Sequence, residues 1–286
     1  MNSEQLRQEF LSAVRIALAE DLGAGDATTL ATVPSRLRAR AELAARENCI
    51  IAGLAAAEIA FRELDPHCRF DILLPDGSSC GAGAVVAIVE GEARALLSAE
   101  RVALNFVQRL SGIATLTSRF VEKAAGSRCR ILDTRKTTPG LRALEKYAVT
   151  CGGGDNHRMG LYDRIMIKDN HRELAALAGP GGIARSVRAA REAYPQLQVE
   201  VEADTLEEVR EAVEARADFI LLDNMSNDEM AEAVRIVGQR ALLEASGNMK
   251  LDRIASVAAL GVDFISVGAL THSARAIDLG LDIRTV

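Results

Sequence analysis

The sequence predicts an α/β protein: a small N-terminal α+β sandwich domain, then an open, incomplete α/β barrel of parallel strands. Two features of the second half carry this. Short apolar runs recur at 130–133, 164–167, 197–201, 219–222, 241–243 and 264–267, and the last four start about 22 residues apart. Amphipathic helical patterns at 182–194, 205–216, 227–239 and 251–260 fill the intervals. Uniformly apolar strands alternating with such helices imply a parallel sheet covered by helices. Six strand–helix units curl into a barrel or part of one.

The first half reads differently. The N-terminal segment is an amphipathic helix with Glu4, Glu9 and Glu20 among apolar residues, broken at 23–25 by glycines. Alternating stretches at 39–43 and 85–89 predict antiparallel strands, residues 54–64 a helix, and Pro75-Asp76-Gly77 a turn. A long helical pattern at 98–121, with Gly112 inside it, joins the two parts. The expected domains are 1–113 and 114–273, with the tail 274–286 packing back on the first.

Composition narrows the function classes. The 286 residues are 49% hydrophobic, enough for a large core, and only 3% aromatic with no Trp, which argues against a stacking platform for single-stranded nucleic acid. A net charge of −6 argues against any polyanion partner. Between Asp133 and Arg172, however, eight Lys/Arg stand against five acids, a local net of +3 that suits a small, highly charged anion. The five cysteines are odd in number and form no Cys-x-x-Cys pair, so free thiols in a reducing compartment are expected. No apolar stretch approaches the ~20 residues that span a membrane, and the N-terminus is not a signal peptide, so a soluble cytoplasmic protein is expected.

Three polar clusters carry the chemistry. Asp133-Thr134-Arg135-Lys136-Thr137-Thr138-Pro139-Gly140-Leu141-Arg142 leaves an apolar strand and sets adjacent cations on a hydroxyl-rich turn. Such a turn offers charged donors and backbone N–H groups to phosphate or carboxylate. Gly152-Gly153-Gly154-Asp155-Asn156-His157-Arg158 and Lys168-Asp169-Asn170-His171 follow. Polar residues also recur at strand carboxyl ends: Lys168, Glu200 and Glu202, Asp223 and Asn224, Glu244 with Ser246 and Gly247, Ser266 with Gly268. In a barrel these converge on one face, where barrel enzymes keep their chemistry.

These clusters, with Ala19-Glu20-Asp21-Leu22-Gly23-x-Gly25-Asp26, Ala93-Arg94-Ala95-Leu96-Leu97-x-Ala99-Glu100-Arg101, Leu104-Asn105-Phe106 and Leu110-Ser111-Gly112-Ile113-Ala114-Thr115, resemble the quinolinate phosphoribosyltransferases nearly end to end. The resemblance implies a sandwich domain and an open seven-stranded barrel, one strand more than the cadence shows. It implies transfer of phosphoribosyl from 5-phosphoribosyl 1-pyrophosphate to quinolinate, giving nicotinate mononucleotide, pyrophosphate and CO₂ in NAD biosynthesis. Mg²⁺ and a homodimer come with it. By resemblance, Thr134, Arg135, His157 and Arg158 hold the two quinolinate carboxylates, with Lys168 near and Arg101 reaching in from the partner subunit. The planar forks of Arg suit a dicarboxylate.

Within that reading, Lys136 and Lys168 neutralise the leaving pyrophosphate. Ser246, Gly247, Asn248, Gly268 and Ala269 present backbone N–H groups to the 5-phosphate. Glu202 and Asp223 hold Mg²⁺ or the ribose hydroxyls, directly or through water. Lys136, Lys168, Glu202 and Asp223 are thus the expected catalytic set. Glu200 either shares their role or pairs with a lysine; His272 is a phosphate-side contact or a loop histidine. Two rivals remain enzymes: a related phosphoribosyltransferase of different base specificity, and a Schiff-base barrel lyase using Lys168. A third is a non-catalytic sensor of phosphoribosyl pyrophosphate.

Overall fold

The computed structural model describes residues 2–175, 177 and 179–286, which pack as two units. One comprises residues 119–136 and 154–268; the other comprises residues up to 118, 137–153 and 269–286.

The barrel unit is built on six short strands: Arg130–Leu132, Ile165–Ile167, Val199–Ala203, Phe219–Asp223, Leu242–Ser246 and Phe264–Ser266. All neighbours run parallel, in the spatial order first, sixth, fifth, fourth, third, second. The seventh position is marked by a single parallel bridge, Leu132 to Asp155, on the free edge of the first strand. Two main-chain hydrogen bonds make it, Asp155 N to Ile131 O at 2.8 Å and Asp133 N to Asp155 O at 3.1 Å. Glycines 152–154 and the following polar residues give that segment no apolar signature, which is why the cadence shows six runs.

Strand alternation sorts the side chains. Val199, Val201, Ile220 and Leu222 are fully buried on the helix-facing side. Each contributes about 1.5–3 kcal/mol by leaving water, so a one-residue slip is strongly disfavoured. The other face carries Glu200 and Glu202, Leu221 and Asp223, Glu244 and Ser246. Helices Gly182–Ala193, Leu206–Glu214 and Asn227–Val237 follow the second, third and fourth strands. The last two begin at side-chain caps, Thr205 accepting from Glu208 N and Ser226 from Glu229 N. The expected helix at 251–260 shortens to Ile254–Ala258. The run at 241–243 extends to Leu242–Ser246, which puts Glu244 inside the strand.

The other unit holds an antiparallel sheet in the order Leu279–Thr285, Arg38–Ala45, Val85–Glu92, Arg69–Ile72. Ala41 lies opposite Val89 on one side and Ile283 on the other, so the C-terminal tail completes this sheet. Helices Ser3–Leu22, Leu54–Leu64 and the first part of Ala93–Ala124 belong to this unit. Gly112 is explained by contact: a Cβ there would meet Arg275 O at 2.0 Å. The stretch 137–153, which the sequence boundaries assign to the barrel, packs with this unit. Its helix Arg142–Cys151 is held by Arg109 Nη2 on the buried Glu145 at 2.8 Å, by Tyr147 Oη on Asp76 at 2.8 Å, and by Tyr147 against Phe10.

Candidate active site

At the carboxyl ends of the parallel strands the barrel unit opens a cavity of about 410 Å³. Its basic and donor lining is Thr134, Arg135, Lys136, His157, Arg158 and Lys168; its acidic and hydroxyl lining is Glu202, Asp223, Glu244, Ser246 and Ser266, and the two sets meet at Lys168–Glu202 and His157–Glu244. That volume lies in the range of small-molecule sites. The sequence therefore anticipates most of the lining, Glu244 and Ser266 among the strand-end residues included, though it gives those two no role.

Asp133 positions the cationic side from below. It is fully buried, and its Oδ1 accepts the His157 main-chain N–H at 2.9 Å, tying the end of the first strand to the 155–157 segment. Thr134 Oγ1 accepts the Lys136 N–H at 3.0 Å and shapes the turn. The Arg158 guanidinium is half-buried, donating from Nη1 to Arg164 O at 3.0 Å. Burial, and then the charge of Arg135, lower its pKa from the usual guanidinium value. It stays charged regardless, because guanidinium pKa values exceed 12. Two guanidinium groups near enough to repel are matched by a ligand with two carboxylates.

The floor is a buried charge cluster. His157 Nε2 lies 3.4 Å from Glu200 Oε2 and 3.3 Å from Glu244 Oε2, with both carboxylates fully buried. Arg164 Nη1 reaches Glu200 Oε2 at 3.4 Å while its guanidinium covers the Phe219 ring at 4.1 Å. Burial alone would lower the imidazole pKa; the close pairing with Glu200 and Glu244 overcomes it and pushes His157 up to about 9. Burial and the charge of Glu200 push the Glu244 carboxyl up. Nδ1 accepts the Arg158 N–H at 2.6 Å, so the ring proton sits on Nε2, between the carboxylates. A second ring proton would set Nδ1–H against that amide, so the titration near 9 belongs to the group of three and not to the ring alone.

This has a consequence for stability. A cluster that holds one proton up to about pH 9, where the free imidazole would release it near 6.5, stabilises the folded state fully below 6.5, and that contribution is lost as pH rises through 9. Stability should fall by up to about 3 kcal/mol across this window. Urea midpoints between pH 6 and 7.5, below most thiol ionisation, are expected to decline for the native chain and much less for His157→Gln. Equal slopes would show that His157 does not drive the effect.

At the acidic side Lys168 Nζ pairs with Glu202 Oε2. Burial first, then the charges of Asp223 and Asp204, raise the Glu202 carboxyl against the pull of Lys168. Asp223 Oδ2 accepts from Asn224 Nδ2 at 2.7 Å. Asn224 and Asn248 take positive φ of 55° and 49°, and Gly247 φ 86°. A Cβ on Gly247 would stand 2.2 Å from Asn224 Oδ1, so glycine is required by this contact between two strand-end loops.

Not every expected residue lines this cavity. Gly247, Asn248 and Gly268 belong to the same unit but are not among its lining residues. Arg101, Ala269 and His272 belong to the other unit. Arg101 is exposed on Ala93–Ala124, Ala269 opens the short helix Ala269–His272, and His272 Nδ1 meets Ser273 Oγ at 2.7 Å. Glu200, expected at a strand end, lies in mid-strand and pairs with His157 and Arg164 rather than a lysine. All five cysteines are free thiols. Burial pushes Cys151 up to about 12, which removes it as a nucleophile at neutral pH. Lys168 faces a carboxylate instead of the apolar pocket that a Schiff-base lysine needs.

Sequence comparison agrees with this geometry. Residues 26–111 match the N-terminal domain of quinolinate phosphoribosyl transferase and residues 113–282 match its C-terminal domain. The chain belongs to the quinolinate phosphoribosyltransferase family. A Synechocystis relative, a probable nicotinate-nucleotide pyrophosphorylase (carboxylating), is 45% identical over 93% of this chain and 90% of its own. The chloroplastic nicotinate-nucleotide pyrophosphorylase (carboxylating) of Arabidopsis thaliana is 43% identical over 97% of this chain and 83% of its own. The solved nicotinate-nucleotide pyrophosphorylase of Francisella tularensis superposes with a TM-score of 0.91 at 39% identity, over 97% of each chain. The fold is therefore the family's, small N-terminal domain and parallel-strand barrel alike, and the chain is a phosphoribosyltransferase. Among the described residues no helix is long and apolar enough to cross a membrane.

Proposed function

We propose that this chain transfers the phosphoribosyl group of 5-phosphoribosyl 1-pyrophosphate to quinolinate with decarboxylation, forming nicotinate mononucleotide, pyrophosphate and CO₂. One observation carries the assignment of the site: a single cavity gathers Arg135, Lys136, Arg158 and Lys168 together with Glu202 and Asp223. The basic side matches a dicarboxylate and a pyrophosphate. The acidic side matches a ribose that becomes cationic at its anomeric carbon.

Arg135 and Arg158 hold the quinolinate carboxylates in this reading, with Thr134 and His157 completing that wall, and so point the ring nitrogen at the anomeric carbon. The nitrogen lone pair forms the new C–N bond as the bond to pyrophosphate breaks. Glu202 and Asp223 stabilise the oxocarbenium character between those events, and Lys136 and Lys168 take up the negative charge on the leaving group. The ring, now a pyridinium, accepts the electron pair left when the 2-carboxylate departs as CO₂, and a proton replaces it. No covalent enzyme intermediate is needed; positioning and fixed charge supply the acceleration. Ser246, Gly247, Asn248 and Gly268 are proposed to receive the 5-phosphate.

A divalent cation fits the acidic side. Glu202 and Asp223 are hard oxygen donors at neighbouring strand ends, and burial first, then the charge of Asp223, raises the Glu202 carboxyl, which a cation would relieve. Bound there with the pyrophosphate, Mg²⁺ would neutralise the leaving group. We further propose a homodimer in which Arg101 enters the partner's site, consistent with its exposure, and a reducing, cytoplasmic setting, consistent with the five free thiols.

The test is purified protein with Mg²⁺ and phosphoribosyl pyrophosphate, offered quinolinate or nicotinate, following mononucleotide and CO₂. Product and CO₂ from quinolinate alone are expected. Product from nicotinate without CO₂ would overturn the dicarboxylate pocket, and silence with both would overturn the whole assignment.

A further inference from the structure

The floor of the cavity contains a carboxylate that the reaction does not consume. Glu244 is fully buried in the middle of the strand Leu242–Ser246, between Leu221 and Phe264 in register. Neither of its oxygens has a well-formed hydrogen bond among the described residues. Its Oε2 lies 3.3 Å from His157 Nε2, and the Ser266 hydroxyl faces it from the next strand. Glu200 flanks the same nitrogen from the other side, itself held by Arg164. On the far side of the ring, Nδ1 is engaged by the Arg158 amide, and the His157 amide by Asp133.

Two buried carboxylates on one imidazole are costly: a buried ion pair seldom recovers its desolvation, and an apolar replacement is often neutral or stabilising. A group retained against that cost in the wall of an active site points to function. Metal ligation does not account for it, although His157, Glu200 and Glu244 have ligand atoms within 4.8 Å of one another. With Nδ1 accepting from Arg158, Nε2 carries the proton and has no lone pair to give a metal.

We propose that Glu244 is a positioning residue for the base pocket: with Glu200 it clamps the Nε2–H of His157, and the clamped ring fixes the Arg158 main chain so that its guanidinium is presented to the ligand's carboxylates. The inference rests on the assignment of quinolinate to this wall. Chain connectivity supplies the lever, since His157 and Arg158 are consecutive and the hydrogen bond between ring and amide makes their orientations one variable. Glu244 touches no ligand in this account.

The test is Glu244→Leu and the isosteric Glu244→Gln, each measured for melting temperature and for kcat and KM toward both substrates. For Leu, the quinolinate KM is expected to rise about tenfold with the phosphoribosyl pyrophosphate KM unchanged, while the melting temperature holds or rises by a few degrees. Gln, which keeps an oxygen for Nε2–H, is expected to recover most of the loss. If the melting temperature falls and both KM values hold or move together, Glu244 is only a core residue and the proposal fails. Should Leu not fold, Gln supplies the same readouts. A further measurement separates this from the substrate assignment: in ¹⁵N-histidine spectra the cluster titration read at the His157 ring, raised above the free imidazole range by the two carboxylates, is expected to drop by a unit or more in Glu244→Gln. An unchanged titration overturns the clamp whichever base the enzyme uses; native protein silent with quinolinate, yet showing the shifted titration, overturns only the base.

Discussion

Lys168→Ala is expected to lower kcat by about 10³-fold or more, roughly 4 kcal/mol of transition-state stabilisation, in a protein that still folds. The size follows from a double role. Lys168 follows the second barrel strand and pairs with Glu202, whose carboxyl is already raised by burial and by Asp223 and Asp204. Removing the ammonium deletes a cation from the leaving-group side. It also leaves Glu202 facing Asp223 uncompensated, pushing Glu202 toward its neutral form just where an anion should face developing positive charge. Folding survives because the Lys168 side chain is 41% exposed and the buried Glu202 can take up a proton once its partner is gone. Turnover at saturating concentrations of both substrates, beside a melting curve, is the measurement. A kcat within tenfold of native would remove Lys168 from the catalytic set.

Arg158→Met is expected to act on binding instead. The quinolinate KM should rise by about 10²–10³-fold, equivalent to about 3–4 kcal/mol, with the phosphoribosyl pyrophosphate KM within a few-fold of native. Arg158 is half-buried, braced by Arg164 O, with Nη2 3.6 Å from Met166 Sδ. A braced planar fork loses little freedom on taking a carboxylate, so a large share of the pairing energy appears as affinity. Methionine fills the aliphatic space and removes only the fork. Arg158→Lys should recover little, because an ammonium offers no second parallel donor. Steady-state kinetics with each substrate varied in turn decide the matter: an effect confined to phosphoribosyl pyrophosphate would move Arg158 to the phosphate side.

These two expectations rest on residues that stand out in the sequence, and the reason is local. Adjacent cations after an apolar strand, or a lysine closing one, are visible because the turn that displays them is encoded within ten residues. The barrel cadence is visible for the same reason: strands such as Phe219–Asp223 are apolar on both faces, and each helix is amphipathic in its own right. What escaped was chemistry embedded in the strands. Glu200 and Glu244 alternate with apolar neighbours and look like polar strand ends, yet both are fully buried around His157. The bridge from Leu132 to Asp155 escaped because one residue pair has no periodicity. The helix Arg142–Cys151 escaped because its anchors, Arg109, Asp76 and Phe10, are remote in sequence.

By itself the sequence determined the fold class, the family and the charged residues facing the cavity, since each depends on short-range pattern: apolar period, turn chemistry and ordered motifs. Tertiary structure alone decided which of those residues meet. The three-way contact of His157, Glu200 and Glu244, the strand register of the tail Leu279–Thr285 on Arg38–Ala45, and the clash that makes Gly247 a glycine all join residues at least 23 positions apart. Burial and charge interaction depend on such long-range neighbours, and no local pattern records them.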